Sequence, residues 1–225
     1  MLIVDWDVHH GNGIQHIFES DPNVMYFSVH RYDEGFFFPA TDTGLGSEGT
    51  PSSVGMGEGR GTTINIGWNT NEHSKPGDSE YLAAWRDVLM PVAREFDPDL
   101  VIVAAGFDAA EGDPLGECHV TPECFGVLTR DLMTLANGKV VLALEGGYSL
   151  SATAASVASC MEALLGVQSP APPGSAENCD KGARLAIDQT RAAHAEFWSS
   201  ISPVNKAVAL KGTRSPFKPL NHTNP

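Results

Sequence analysis

Near the start of the chain runs Asp5-Trp6-Asp7-Val8-His9-His10-Gly11-Asn12-Gly13. Asp5, Asp7 and His9 are spaced i, i+2, i+4, so an extended backbone would turn all three to one side. Two acids and an imidazole leaving the end of a buried strand are costly unless a cation neutralises them. Another acid, Asp108, follows the apolar run 100–105 through Gly106-Phe107, and Glu145-Gly146-Gly147-Tyr148 follows the apolar run 140–144. Taken singly, Asp108 reads as a turn cap and Tyr148 as a surface phenol. Taken together, each group lies just after a strand, where open α/β sheets bind their ligands. An Asp/His/Asp set with one coordination position free suits a catalytic metal, whose bound water is activated while a carbonyl is polarised. Tyr148 would then donate to the oxyanion forming opposite the metal. The chemistry is metal-assisted hydrolysis of a carbonyl compound, and carboxylate-rich donors suit zinc, manganese or iron.

These groups need a frame to hold them. Short apolar, β-branched runs at 2–4, 24–29, 62–66, 100–105 and 140–144 read as strands covered on both faces, hence a parallel sheet. Between them Asp78 can cap a helix with the face Tyr81, Leu82, Trp85, Val88, Leu89, Val92 and Phe96, which Pro91 should kink or whose regular ladder it should end. Thr121-Pro122-Glu123 starts a helix and Asn137-Gly138 stops it. A further helix runs over 151–165 to Gly166. The class is α/β, a doubly wound, mostly parallel sheet with helices on both faces. Residues 1–166 form the domain body and 167–179 a Pro-rich linker. Residues 180–202 are a helix packing back on the body, and 203–225 a disordered basic tail. The long irregular stretches 31–61 and 67–77 suggest functional loops.

Composition narrows the function. The net charge is −14, yet residues 203–225 hold Lys206, Lys211, Arg214 and Lys218 and no acid. The first 202 residues therefore carry 10 basic against 28 acidic side chains, a charge of −18. Such a surface repels nucleic acid and attracts lysine-rich peptides. No apolar run is long enough for a membrane span, and no secretory signal opens the chain. Cys118, Cys124, Cys160 and Cys179 lack paired spacing and read as reduced thiols of an intracellular protein. His73, His119, His194 and His222 read as isolated, solvated side chains, and Trp68, Trp85 and Trp198 as packing.

The Asp5–Gly13 stretch, Ser28-Val29-His30-Arg31-Tyr32, Gly106-Phe107-Asp108-Ala109, Gly112-Asp113-Pro114-Leu115-Gly116 and Glu145-Gly146-Gly147-Tyr148 resemble class II histone (lysine) deacetylases. They are most similar to the cytoplasmic tubulin-deacetylase type of class IIb, over residues 1 to about 166. The resemblance implies the arginase/deacetylase-like fold, zinc on Asp7, His9 and Asp108, and Tyr148 polarising the acetyl carbonyl. It implies structural potassium at Asp5, Asp7, the His9 carbonyl, Ser28 and Val29, and a second ion at Phe18 and Val24, with Thr62 a looser match. Phe38 would wall the acetyl-lysine tunnel, with Phe37 an adjacent alternative. Leu115 stands on the rim where the polyamine-deacetylase relative carries Glu, and Gly146 and Gly147 line the substrate. Implied partners are acetyl-lysine proteins (histones, tubulin-like substrates) and corepressors, with no direct nucleic acid and no membrane, in cytoplasm or nucleus.

One family element is missing from these 225 residues. The general base of such enzymes is a His-His pair in an Arg-Pro-Pro-Gly-His-His context, and the only adjacent histidines here are His9 and His10. Asp5 and Asn12 would ordinarily orient that pair. The chain is therefore expected to be the C-terminal part of a deacetylase domain, and without a base to lose roughly 10²–10⁴-fold in hydrolysis. A Gly- and Ser-rich stretch at 41–59 looks longer than its family counterpart. The alternatives are an acetyl-lysine-binding or scaffold fragment without turnover, and an acetylpolyamine or arginase-like amidohydrolase. No second Asp-x-Asp motif follows Asp108 to bridge two manganese ions.

Overall fold

In the computed structural model, residues 1–40, 48–70, 75–168 and 170–202 are described. The basic stretch 203–225, part of the 41–59 loop, and His73 and His222 lie outside the described residues. Five parallel strands form one sheet in the order β3-β2-β1-β4-β5. They are β1 (Leu2–Asp5), β2 (Met25–Arg31), β3 (Thr63–Trp68), β4 (Val101–Ala105) and β5 (Val140–Leu144). β1 lies at the centre, with Asp5 in register with Ser28 of β2 and Ala104 of β4. Winding runs outward from β1 to β2 and β3 on one side, and through β4 to β5 on the other. The chain therefore reverses direction between β1 and β4, which is where a sheet of this kind opens a crevice.

Helices α1 (Asn12–Phe18), α2 (Asp78–Ala84), α3 (Met90–Phe96), α4 (Pro122–Leu132), α5 (Leu150–Leu164) and α6 (Lys181–His194) surround the sheet. Trp6, just beyond β1, is fully buried and meets Trp85, Phe107 and Phe125 at ring separations of 5.6 to 6.3 Å. Pro91 interrupts the regular ladder, as its position indicates, without ending the helix. Its missing N–H follows a widened π-helical turn over Trp85–Leu89, and the helix continues to Phe96. Thr121 caps α4 as its sequence indicates, accepting from the Cys124 amide at 3.2 Å.

Four expectations need correction. Asp78 does not cap α2, because its carboxylate accepts the Thr121 amide and hydroxyl at 2.8 and 2.9 Å. Glu80 reaches back to the Gly77 amide instead, at 2.9 Å. Helix α4 ends at Leu132, before Asn137-Gly138, which form a separate turn with positive φ at both residues. His194 is fully buried rather than solvated, and neither ring nitrogen meets a partner at bonding distance. Finally, β5 is not covered on both faces: it is an edge strand, with Val141 52% and Leu144 65% exposed.

The two edges of the sheet differ. At β3 the Thr190 hydroxyl of α6 donates to the Asn65 carbonyl at 2.7 Å, and the Trp198 indole donates to Gly61 just before the strand. At β5 no charged residue interrupts Val-Val-Leu-Ala-Leu, and Leu150, Met161 and Leu165 of the neighbouring α5 region are exposed. No helix among the described residues is long and apolar enough to cross a membrane.

Candidate active site

The chain leaves β1 in bends, not in the extended form the i, i+2, i+4 spacing suggested. Asp5 Oδ1 accepts the Asp7 amide at 3.2 Å, and Asp7 Oδ1 accepts the His9 amide at 2.9 Å. Each acid thus captures the amide two residues ahead, a turn short polar side chains favour. The bends separate Asp5 from the other two. Asp5 is buried on the β2 side, where the Tyr26 hydroxyl donates to its Oδ2 at 2.9 Å. Burial raises the Asp5 carboxyl well above the ordinary range, with the Tyr26 hydrogen bond opposing.

Asp7 and His9 swing over the β1–β4 crevice, and Asp108, following β4, meets them there. His9 Nδ1 lies 3.0 Å from both Asp7 Oδ1 and Asp108 Oδ2. One ligand atom from each residue falls within 4.8 Å of the others. The remaining carboxylate oxygens are held from behind: the Val8 amide donates to Asp108 Oδ1 at 2.7 Å, and the Gly146 amide to Asp7 Oδ2 at 3.0 Å. Burial raises the Asp108 carboxyl, while in the more exposed Asp7 hydrogen bonds from His9 outweigh burial and lower it. Asp108 and Asp7 together lift the His9 imidazole to about 9.

Glycines make this packing feasible. A Cβ on Gly106 would fall inside the Asp7 carboxylate, and one on Gly146 would stand 2.7 Å from Asp7 Oδ2 and nearer still to Asp108. Two residues beyond Gly146, Tyr148 is 55% exposed at the mouth of the crevice. Slight burial and the anionic Asp108 and Asp7 raise its phenol above the ordinary value. Across the site Phe37 stacks on the His9 ring at 5.2 Å and Phe38 meets it edge-on at 5.8 Å. Both Phe37 and Phe38 therefore flank the imidazole. Arg31 lies over the outer face of Phe37, 4.4 Å from its centroid, and pairs with Asp33 and Glu117. Leu115 is exposed.

The sequence profile described as the histone deacetylase domain matches residues 1–164. The chain belongs to the histone deacetylase family. It is 48% identical to histone deacetylase 7 of Homo sapiens over 202 residues, covering 88% of this chain and 20% of that protein. It is 45% identical to the polyamine deacetylase HDAC10 of Homo sapiens over 225 residues, covering 99% of this chain and 31% of that protein. The solved structure of the histone deacetylase Clr3 superposes with a TM-score of 0.83 at 42% identity, over 90% of this chain and 32% of that one. The chain thus spans between a fifth and a third of the length of these relatives.

Other deacetylase-motif residues lie away from the crevice. Ser28 is buried with its hydroxyl 2.9 Å from His30 Nδ1, and Val29 is buried beside it. Phe18 closes α1 and packs with Val24, while the Thr62 hydroxyl donates to the Gly59 carbonyl at 2.8 Å. Asn12 opens α1. His10 is buried between Gln15, 3.1 Å away, and the His30 ring, 4.6 Å away. Sequence reasoning gives no role to Asp113 or Arg31. Each stands inside a deacetylase-like motif, but spacing alone does not reveal a clamp made to backbone amides or a stack on Phe37.

Proposed function

We propose that this chain supplies the metal-binding and oxyanion-stabilising part of a zinc-dependent deacetylase that hydrolyses the acetyl amide of N6-acetyl-lysine in proteins. The convergence of Asp7, His9 and Asp108 beside Tyr148 carries the reading. The His9 nitrogen stands 3.0 Å from an oxygen of each acid, near the roughly 3.3 Å separation that tetrahedral bonds of about 2.0 Å require, and the three donors fall within 4.8 Å of one another. Their second oxygens are already held by amides, the support metal-binding carboxylates need. Bound there, zinc would activate a water molecule and polarise the acetyl carbonyl.

The chain's own groups supply the rest. Tyr148 donates its phenolic hydrogen to the carbonyl oxygen as negative charge develops on it. Phe37 and Phe38 offer aromatic walls to the lysine's methylene stem. Gly146 and Gly147 let the backbone approach the substrate, and Leu115 gives the rim an apolar group where a polyamine would seek an anion. The acidic surface draws lysine-rich segments toward the mouth. We assign Asp5, Ser28 and Val29 to a structural potassium ion, and Phe18 and Val24 to a second.

A second reading has its own observation. His10 and His30 are turned to Gln15, Ser28 and Gly49, so among the described residues no free histidine faces the metal-ligand cluster as general base. A chain that binds acetyl-lysine and turns it over slowly, or not at all, fits that arrangement. Zinc-loaded chain incubated with an acetyl-lysine peptide separates the readings. Acetate release roughly 10²-fold above a Tyr148→Phe variant supports hydrolysis. Peptide binding at equal, negligible turnover supports the module. Failure to take up Zn²⁺ or Co²⁺ sinks both.

A further inference from the structure

Tyr148 can act only if something fixes it relative to Asp108, and the phenol itself is exposed. Its loop hangs from the edge strand β5, which among the described residues has a partner on one side only. Glu145 and Gly146 are tied to the end of β4 by the Glu145 amide on the Ala105 carbonyl at 3.2 Å and the Phe107 amide on the Gly146 carbonyl at 2.8 Å. Beyond Gly146 the backbone turns through Gly147 at φ 131°, a conformation that gives no stiffness of its own. The Tyr148 amide then donates to Asp113 Oδ2 at 2.7 Å.

Asp113 comes from a different loop, the one that follows β4, and is buried. Its Oδ1 accepts the Leu115 amide at 2.8 Å and the Gly116 amide at 3.2 Å. Gly116 in turn packs so tightly on the Asp108 carbonyl that it has no room for a Cβ. One carboxylate therefore joins three backbone donors from two loops. It links the residue carrying the phenol, the rim residue Leu115, and a glycine lying against Asp108.

We infer that Asp113 is a positioning residue that sets Tyr148 relative to the metal-ligand cluster and couples it to the Leu115 rim. The inference rests on the reading that Tyr148 meets the scissile carbonyl. Only a carboxylate suits the place. An asparagine of the same size has one acceptor oxygen, so it would turn an NH2 donor toward either Tyr148 or the Leu115–Gly116 pair.

The zinc-loaded full chain carrying Asp113→Asn, which preserves volume, tests this by amide hydrogen exchange. The Tyr148 amide should exchange at least tenfold faster than in the parent, with β4 amides unchanged. Tyr148 exchange at the parent rate, or equal acceleration throughout β4, overturns the inference. Turnover of an acetyl-lysine peptide supplies the functional arm. Asp113→Asn should lower kcat about tenfold with little change in KM, and should cost nothing further in a Tyr148→Phe background. A loss of the same size in both backgrounds shows that Asp113 acts elsewhere and rejects the coupling. If Tyr148→Phe alone leaves turnover untouched, the reading of Tyr148 fails, whereas the exchange result still decides whether Asp113 holds its amide.

Discussion

At Gly146 a missing side chain governs the chemistry next to it. Its Cα lies so close to Asp7 and Asp108 that a methyl group would push both carboxylates apart. Gly146→Ala should weaken Zn²⁺ affinity roughly 10–100-fold, the scale on which disturbed outer support acts. Its melting temperature should stay near the parent's, because the surrounding core is untouched. Chelator competition measures the first quantity and thermal unfolding the second; unchanged affinity would show that the cluster does not hold the ion. At this scale the sequence was partly legible. Acids placed just after apolar runs disclosed Asp7 and Asp108, and the paired glycines disclosed Tyr148. The Phe-Phe-Phe run could not say which ring faces His9, since both Phe37 and Phe38 do. Asp5 escapes a reading from spacing because its bond to Tyr26 joins residues on different strands.

The strands themselves were readable from continuous β-branched runs, and their observed ends differ from the expected ones by at most two residues. Helix ends were less so, because distant partners compete for capping groups, as Thr121 does for Asp78. His194 is a case where helical periodicity says more than isolation in the sequence. Ala183, Ile187, Thr190 and His194 fall on one stripe of α6, and all four are buried. Burial lowers the His194 imidazole to about 4, with the Gly61 backbone opposing. The unfolded chain, with an ordinary imidazole near 6.5, binds more protons between these values. The stabilising contribution is therefore complete above about pH 6.5 and lost as the pH falls toward 4. Lowering the pH from 7.5 to 5 should cost about 2 kcal/mol through His194 alone. In urea titrations at the two pH values, His194→Met should lose correspondingly less stability than the parent. His10 and His30, lowered mainly by burial, act in the same direction, and the raised carboxyls of Asp5 and Asp108 act against it. An equal loss in variant and parent would refute the assignment.

At the scale of the molecule the sheet of the described residues is asymmetric: α6 packs at the β3 edge, while β5 is an edge strand flanked by apolar side chains. An uncharged open edge is a template for further strands. The purified chain should therefore self-associate with rising concentration, and Val141→Lys should suppress this in light scattering without lowering zinc affinity. Concentration-independent scattering in the parent would contradict the expectation. Continuous apolar character did not reveal this, because the same five residues suit an inner strand and an outer one equally. The placement of the cluster has another outcome. Its residues follow directly on two strands that are immediate neighbours, so sheet pairing sets where the short segments that carry them begin. Surface segments around the mouth are thereby interchangeable parts. Exchanging the exposed Leu115 for a charged residue would redirect which peptides are admitted while leaving the grip on the ion intact, but deleting a single residue within β1 would abolish it.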